Sequence, residues 1–374
     1  MTRGTSDRGA ITRTADQSTP TTSPPDGILD HGVLAAALTR WLATDGPRSR
    51  AGAYCGWLDL ASGTPSDPYP EITGYALTFL SHDPAFARCS SARAAGRWLT
   101  ERVERGDLSA RPRLTGDAAF SFDIGMVAHG LIRHGRAAGD HRALAAGVRA
   151  AEVLITHRAG GPLPTVLPGT AATPLPIRWS TVGRPHLVKV VQSLIAAADL
   201  GVPDAEAAAY DLVRERVRET SSPPPTARTS DAVWLHPLAY AAEGLWMWST
   251  RHDDSAASRR SRELTEWLWR QRLADGGFAR YAERSGRPGG HPGTLDVLAQ
   301  AIRLAMLHDI HTEAALREAE RLAALCHREA DRTAVPYRVG TADLHLNSWC
   351  SMFAAQALWL CASPGRSLGW GELV

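Results

Sequence analysis

The chain alternates between two kinds of predicted helix. Helices that begin near residues 72, 123, 185, 237, 294 and 348 are apolar on most sides, which is typical of buried helices. Helices that begin near residues 85, 141, 204, 256 and 312 carry Arg and Glu along one face, which is typical of an outer layer. Apolar spacing predicts one more helix over His31–Ala43. Strand signals are weak, and Val335–Val339 is the best short candidate.

A polar loop that is rich in His, Asp, Trp and Gly precedes each of the six apolar helices. The helix starts lie roughly fifty to sixty residues apart, the length of a helical hairpin with its loops, and such periods indicate repeat architectures. Twelve alternating helices predict an all-α fold, the (α/α)6 toroid of inner and outer helices. An open α-solenoid is the alternative. Closure of the ring would bring all six loops to one mouth, where they would form an active-site cup.

The length and composition favour one large domain with a short leader. The 374 residues are 44% hydrophobic, so a large core is possible. We expect residues 31–374 to form a single toroid domain and residues 1–30 to be a disordered leader rich in Ser, Thr, Gly and Pro. The leader lacks the apolar segment of a secretory signal, and the five scattered cysteines contain no C-x-x-C. These features predict a cytoplasmic protein.

The charge balance narrows the classes of partner. A net charge of +2 with 21% charged residues gives no electrostatic case for nucleic acid binding. No apolar run approaches the length of a membrane span. Lys189 is the only lysine, so nearly all positive charge is arginine. We therefore expect a small-molecule or oligosaccharide substrate, and the sequence leaves the oligomeric state open.

Four histidines lie at or just before the starts of predicted inner helices: His186, His236, His291 and His345. A helix N-terminus is electropositive, which disfavours the imidazolium form and keeps histidine available as a base. The alternative for any one of them is a packing or capping role. Four histidines on one rim favour a functional role for at least one of them.

Carboxylates cluster on the same rim, at Asp59, Glu71, Asp123, Asp296 and Asp343. Two carboxylates that face one substrate can divide acid and base roles when their environments separate their pKa values. The alternative is that first-turn acids satisfy free N–H groups of their helices. Glu243 lies farther along an inner helix and needs a partner there, since an unpaired buried charge is unfavourable.

Aromatic residues are candidates for substrate contact because aromatic faces stack on sugar rings and on positive charge. The candidates in or next to the rim loops are Tyr54, Trp57, Tyr69, Tyr75, Trp179, Trp234, Phe278, Tyr281 and Trp349. Arg178 and Arg184 are candidate clamps for a carboxylate or phosphate, and an ordinary surface role is the alternative. We assign ordinary packing roles to five other tryptophans: Trp246, Trp248, Trp267, Trp269 and Trp359.

Motifs for nucleotide and nicotinamide chemistry are absent. The sequence has no G-x-x-x-x-G-K-[ST], no G-x-G-x-x-G after a strand, no H-E-x-x-H and no G-x-S-x-G. We expect no cofactor and assign no metal ligand. Metal binding stays open, because sequence does not reveal whether the rim histidines of different repeats converge.

Several segments resemble bacterial six-hairpin toroid proteins, a group that includes sugar 2-epimerases, uronate-acting lyases and hydrolases, and squalene-cyclase-like proteins. The segments are Tyr69–Tyr75, Ser121–Gly125, His236–Leu245, Gly293–Gln300 and Asn347–Leu358. The resemblance implies an (α/α)6 toroid and a carbohydrate or natural-product role. Gln271–Phe278 also resembles the Gln/Gly/Trp repeat of terpene cyclases, but the D-x-D-D acid motif is missing.

The leading hypothesis is an enzyme that transfers protons on a sugar or uronate-like substrate by epimerisation, elimination or hydrolysis. Its catalytic candidates are His236, His345, Glu243, Glu71, Tyr75 and Asp123. Its substrate-binding candidates are Trp57, Asp59, Tyr69, Trp179, Arg184, His186, Tyr240, His291, Asp296 and Trp349. A terpene- or polyene-type cyclase and a non-catalytic ligand-binding toroid are the alternatives.

Overall fold

Twelve long helices dominate this computed structural model, which describes residues 30–44, 46–171, 174–219, 232–283, 285–289, 293–329, 332–338, 345–363, 365 and 367–374. They are α1 (His31–Thr44), α2 (Pro70–Leu80), α3 (Ser90–Glu104), α4 (Ser121–Ala138), α5 (His141–Ala159), α6 (a 3-10 turn Pro185–Val190 continued by Val191–Ala198), α7 (Ala205–Val217), α8 (Leu235–His252), α9 (Ser255–Trp269), α10 (Leu295–His308), α11 (Thr312–Ala324) and α12 (Ser348–Ala362). One-turn helices span Pro84–Ala87, Pro112–Thr115 and Trp179–Val182.

Seven short strands line the loops in the part of the chain that the structure describes. They are β1 (Trp57–Asp59), β2 (Thr64–Pro65), β3 (Ala232–Trp234), β4 (Tyr281–Glu283), β5 (His327–Glu329), β6 (Arg332–Pro336) and β7 (His345–Asn347). One antiparallel sheet has the order β2-β1-β7-β6-β5, and β3 pairs with β4 in a second. The larger sheet joins the loop before α2 to the loop before α12. It therefore ties the first and last inner helices together at the rim.

The even-numbered helices form a closed inner ring. Each contacts the next, from α2 through α4, α6, α8 and α10 to α12, and α12 contacts α2. The odd-numbered helices lie outside, and α1 contacts both α12 and α11. An open solenoid would leave its first and last helices apart, so the predicted (α/α)6 toroid is confirmed. Among the described residues, no helix is long and apolar enough to cross a membrane.

Helix boundaries differ from the predictions at two outer helices. The predicted helix near 85–105 is divided, because Cys89 adopts an extended backbone and α3 begins only at Ser90. The predicted helix over 312–330 ends at Ala324, and the chain then enters β5. The predicted strand at 335–339 occurs three residues earlier, as β6. The predicted leader spans residues 1–30, of which residues 1–29 lie outside the described part of the chain.

Glycines allow the inner helices to cross closely. A Cβ at Gly74 of α2 would overlap the carbonyl of Met126 in α4, and a Cβ at Gly130 would overlap the carbonyl of Gly74. A Cβ at Gly244 of α8 would lie 2.5 Å from the carbonyl carbon of Val188 in α6. Interiors are close-packed and helices move as units, so these contacts set the diameter of the ring.

The end of the ring opposite the inner-helix N-termini is covered by residues 367–374. Nε2 of His129 lies 2.9 Å from the carbonyl oxygen of Gly371. Gln356 donates to the carbonyl of Glu372 (2.7 Å), and Arg303 donates to that of Val374 (2.6 Å). This segment satisfies polar groups that point down the centre of the toroid.

We expect Gly74→Ala to lower the free energy of unfolding by about 1–3 kcal/mol, the usual range for overpacking a filled interior. The added methyl group meets backbone, which cannot rotate away. Urea denaturation of the purified protein measures the change. Gly160→Ala is the matched control, because its φ is −79° and the nearest atom would lie 3.8 Å from the new Cβ. Equal stability of the two variants would refute the close-crossing interpretation.

Candidate active site

The inner faces of the inner helices carry polar and aromatic side chains at a regular spacing. On α8, His236 lies in the first turn, Tyr240 follows four residues later and Glu243 three residues after that. Positions i, i+4 and i+7 share one helix face, so all three point into the ring. The same spacing holds on the neighbouring inner helices, with Glu71 and Tyr75 on α2, Asp296, Gln300 and Arg303 on α10, and Trp349, Phe353 and Gln356 on α12.

Tyr240 lies at the centre of the cup floor. Its ring centroid is 4.3 Å from that of His236, 4.8 Å from Phe122, 6.4 Å from Phe353 and 6.5 Å from Tyr75. These neighbours come from α8, α4, α12 and α2. One aromatic ring thus joins four of the six inner helices, and the side chains around it pack together.

Below this ring, the carboxylate of Glu243 accepts hydrogen bonds from two other inner helices. Nζ of Lys189 donates to Oε2 (2.7 Å), while Nη2 of Arg303 (2.6 Å) and Nε2 of Gln300 (3.3 Å) donate to Oε1. Lys189, Glu243 and Arg303 are wholly buried. The expectation that Glu243 requires a partner is confirmed, and two cations share its charge.

Lys189 is enclosed by aromatic rings. Its Nζ lies 4.5 Å from the ring centroid of Tyr240, 5.0 Å from that of Tyr75 and 5.6 Å from that of Phe353. Burial lowers the pKa of Lys189 to about 8, against the opposing effect of Glu243. Cation–π contacts and one ion pair replace the water that the ammonium has lost.

The same hydrogen bonds determine which nitrogen of His236 is protonated. A carboxylate only accepts, so the Gln300 atom that faces Glu243 is the amide nitrogen, and its oxygen faces His236. Nδ1 of His236 lies 2.7 Å from that oxygen and therefore donates to it. Asp296 lies 3.5 Å from the same nitrogen. In the neutral ring, Nε2 then carries the free lone pair and is the basic atom.

His236 is held neutral and remains accessible. Burial lowers its pKa, while the charge of Asp296 opposes the shift. The side chain keeps 17% of its surface exposed. From the sequence we expected the electropositive helix N-terminus to keep these histidines neutral. In the structure, burial is the larger cause of the lowered pKa. A neutral imidazole with a free nitrogen suits a general base.

Glu71 and Asp123 form a carboxyl pair in the first turns of α2 and α4. Burial raises the pKa of Glu71; burial and the neighbouring Glu71 charge raise that of Asp123 well above its ordinary value. Arg111 opposes both shifts, and its guanidinium lies 4.3 Å from the ring centroid of Tyr69. Two buried neighbouring carboxyls do not both ionise readily, so their proximity favours the protonated form of the pair. It can therefore act as an acid.

Within the described residues, three buried polar atoms in the first two turns of inner helices have no hydrogen-bond partner. They are the hydroxyl oxygen of Tyr75, Oδ2 of Asp123 and Nδ1 of His186. Buried polar atoms are ordinarily satisfied, and each exception requires a physical reason. A substrate with several hydroxyl groups would supply the missing partners.

His186 and Trp179 form the wall beside His236. The Trp179 ring meets His186 edge-on at 5.1 Å and His236 at 5.7 Å. Burial lowers the pKa of His186 to about 3, with His236 adding to the shift. His186 is therefore neutral at physiological pH, and its unpaired Nδ1 can bind a substrate hydroxyl.

A second group of candidates lies farther out, on the rim sheet. His345 of β7 stacks on Trp57 of β1 at 5.3 Å, and its Nε2 lies 3.5 Å from Asp59. Trp349 lies closer to the cup and donates to Asp296 (3.4 Å). Arg184 is exposed. His345 thus contacts Trp57 and Asp59 rather than His236, whereas the sequence-based hypothesis grouped both histidines as catalytic. His291 and Asp343 lie outside the described residues.

The sequence reasoning missed several polar residues of the floor. Lys189 was noted only for composition, although a single lysine beside forty arginines is itself a signal that an adjustable amine is required. Gln300 and Arg303 follow Asp296 at i+4 and i+7, a spacing that could have identified them. Arg111 precedes α4 by ten residues and has no signal in an arginine-rich chain.

Candidate metal ligands do not converge in the part of the chain that the structure describes. No group of three or more His, Cys, Asp and Glu side chains is placed to hold a metal ion there. The five cysteines are free, and four of them are buried.

Comparisons with known proteins identify the fold. No protein-family model and no curated protein matches the chain. Solved structures that resemble it include a D-mannose isomerase, with a TM-score of 0.67 and 13% identity over 90% of this chain and 99% of that chain. A cellobiose 2-epimerase from Bacillus thermoamylovorans has a TM-score of 0.67 and 11% identity, over 88% and 98% of the two chains.

An unsaturated glucuronyl hydrolase from a Bacillus species is also similar, with a TM-score of 0.62 and 12% identity over 87% and 94% of the two chains. At these identities the likeness establishes the fold. The chain is an (α/α)6-toroid protein, as its resemblance to six-hairpin toroids predicted. The cup at the N-termini of its inner helices is the candidate active site.

We expect Glu243→Leu to lower the free energy of unfolding by about 3–5 kcal/mol, because it leaves Lys189 and Arg303 buried without their carboxylate. Urea denaturation measures the loss. The matched control is Glu313→Leu, which removes an exposed partner of Arg317 and should change stability by less than about 1 kcal/mol. Similar losses in both variants would contradict the assigned role of Glu243.

We expect the stability of the protein to depend on pH through His186. Its folded pKa of about 3 is below the ordinary 6.5, so the unfolded chain binds more protons between these values. His186 therefore lowers stability as pH falls from 6.5 towards 3. His186→Phe should lose less stability over this window than the wild type, as measured by urea denaturation at several pH values. His141→Phe, at an exposed outer position, should retain the wild-type slope; a wild-type slope in His186→Phe would disprove the assignment.

Proposed function

We propose that this protein is an enzyme that transfers protons on a sugar or uronate-like substrate bound in the cup. One observation carries the proposal: an oriented neutral base, His236, and a carboxyl pair whose pKa values are raised by burial, Glu71 with Asp123, lie on the inner helices around Tyr240. A base and an acid of this kind are the requirements of epimerisation, elimination and hydrolysis.

In this proposal Nε2 of His236 removes a proton from the substrate carbon or from an attacking water. Its Nδ1–H remains bonded to Gln300, and the Asp296 carboxylate stabilises the imidazolium that forms. Glu71 or Asp123 returns a proton to the substrate oxygen or carbon. Glu243 is a positioning residue, since it contacts Gln300, Lys189 and Arg303 rather than the cup.

Substrate binding follows from the remaining side chains. The unpaired atoms of Tyr75, Asp123 and His186 would bind hydroxyl groups. Trp179 and Tyr240 offer faces for a sugar ring, and Tyr69 lies beside Arg111, which would attract a carboxylate. Trp57, Asp59 and His345 would contact the outer part of a longer substrate. Arg184, Asp296 and Trp349 complete the proposed binding set, and His291 belongs to it from the sequence alone.

The structural neighbours support the choice of substrate class. By their names, they act on D-mannose, cellobiose and unsaturated glucuronyl compounds. These are the first compounds to test as substrates.

The cyclase alternative has less support. Its aromatic rings would have to stabilise a carbocation, yet the rings of Tyr75, Tyr240 and Phe353 already face the Lys189 ammonium. A second cation against the same rings would be repelled. A binding-only toroid remains an outcome of the experiment.

The experiment is incubation of the protein with each test compound in deuterated water, followed by proton NMR of the sugar. Deuterium incorporation or a new anomer-specific signal reports proton transfer whatever the product. For the unsaturated uronide, loss of the double-bond absorbance is the readout. Saturable binding of a compound without exchange, product or absorbance change would favour the binding-only alternative.

We expect His236→Ala to reduce turnover by at least about a hundredfold, the lower limit usual for a general base. His141→Ala, at an exposed outer position, should retain wild-type turnover and controls for the substitution itself. Circular dichroism establishes that each variant is folded. A folded His236→Ala variant with near-normal turnover would remove His236 from the mechanism.

A further inference from the structure

A second concave site lies at the end of the toroid away from the cup. It is a cavity of about 440 Å³ between α1, the C-terminal end of α2 and the C-terminal half of α12. Phe79 lies eight residues beyond Glu71 on α2, and Trp359 lies ten residues beyond Trp349 on α12. These separations correspond to about 12 Å and 15 Å along the helix axes, so the cavity and the cup are distinct.

The walls of this cavity are mainly apolar. Phe79, Phe86, Trp359 and Leu368 supply large side chains, while the face of α1 contributes the small residues Gly32, Ala35 and Ala36. The volume falls within the range of about 300–1,000 Å³ that is typical of small-ligand sites, and a few polar groups interrupt an aromatic lining, as in such sites.

The charged residues at the mouth indicate the charge of the ligand. His82 lies 3.1 Å from Glu372, and Asp83 caps its one-turn helix through the N–H of Ala85 (2.7 Å). Arg40 also lines the cavity, and no carboxylate of the described residues pairs with it. Of the two basic side chains that line the cavity, His82 faces Glu372, so the guanidinium of Arg40 is the one left to bind an anion.

We propose that this cavity binds a small amphipathic anion, with an aromatic or alkyl body and a single carboxylate, sulfonate or phosphate group. The body packs between Phe79, Phe86 and Trp359, and the anion meets Arg40 at the mouth. The site is independent of proton transfer in the cup.

Two fluorescent probes that share one ring system test this proposal: anilinonaphthalene sulfonate and the uncharged anilinonaphthalene. We expect the sulfonate to bind the full chain saturably at one site, and the neutral probe to bind more weakly. Arg40→Gln should weaken sulfonate binding by about threefold, as expected for an exposed ion pair, and leave the neutral probe unaffected. Arg97→Gln, an exposed arginine of α3, is the matched control.

Ala36→Trp fills the cavity from the exposed face of α1 and should abolish binding of both probes. Ala207→Trp, an exposed position on α7, controls for the added indole. His236→Ala should leave probe binding unchanged, because it lies in the cup. Binding of the sulfonate that survives Ala36→Trp, or that is lost in His236→Ala, would overturn the proposal. So would equal affinity for the charged and uncharged probes.

Discussion

The buried carboxylate of Glu243 is the interaction on which the centre of the toroid depends. It joins α8 to Lys189 on α6 and to Gln300 and Arg303 on α10, and Arg303 extends the connection to Gln356 on α12. Four of the six inner helices therefore meet through one charged cluster without access to water. Such a cluster tolerates little rearrangement, because any displacement leaves a desolvated charge unpaired.

The same hydrogen bonds also fix the orientation of the basic side chain in the cup. The orientation of the Gln300 amide is fixed by Glu243, and the amide oxygen in turn fixes the tautomer of His236. An amide in place of a carboxylate holds the imidazole without adding a negative charge directly below it. The basic nitrogen is thus directed by a neutral group, while Asp296 supplies charge from the side.

The architecture could be predicted from the sequence because the burial of each helix determines where its apolar residues lie. Helices apolar all round alternate with helices of mixed character, and this pattern alone predicts two concentric rings. The need of Glu243 for a partner also followed from its position. The identity of the partners did not, because Lys189 and Arg303 approach from other helices and their register is a property of packing. For His345 the sequence was misleading in another way. It precedes an inner helix as His236 does, yet it lies in a strand on the rim.

The crossing of α2 and α4 has a consequence for acidity. Gly74 lies one turn below Glu71, and Met126, whose carbonyl it meets, lies one turn below Asp123. The separation of the two carboxyls, and with it the strength of their mutual repulsion, is therefore set by a contact between backbones that carries no net charge. A methyl group introduced at that contact would push the two helices apart. Substitutions among the small residues where these two helices cross can thus change the pKa values of the carboxyl pair without altering either acidic side chain.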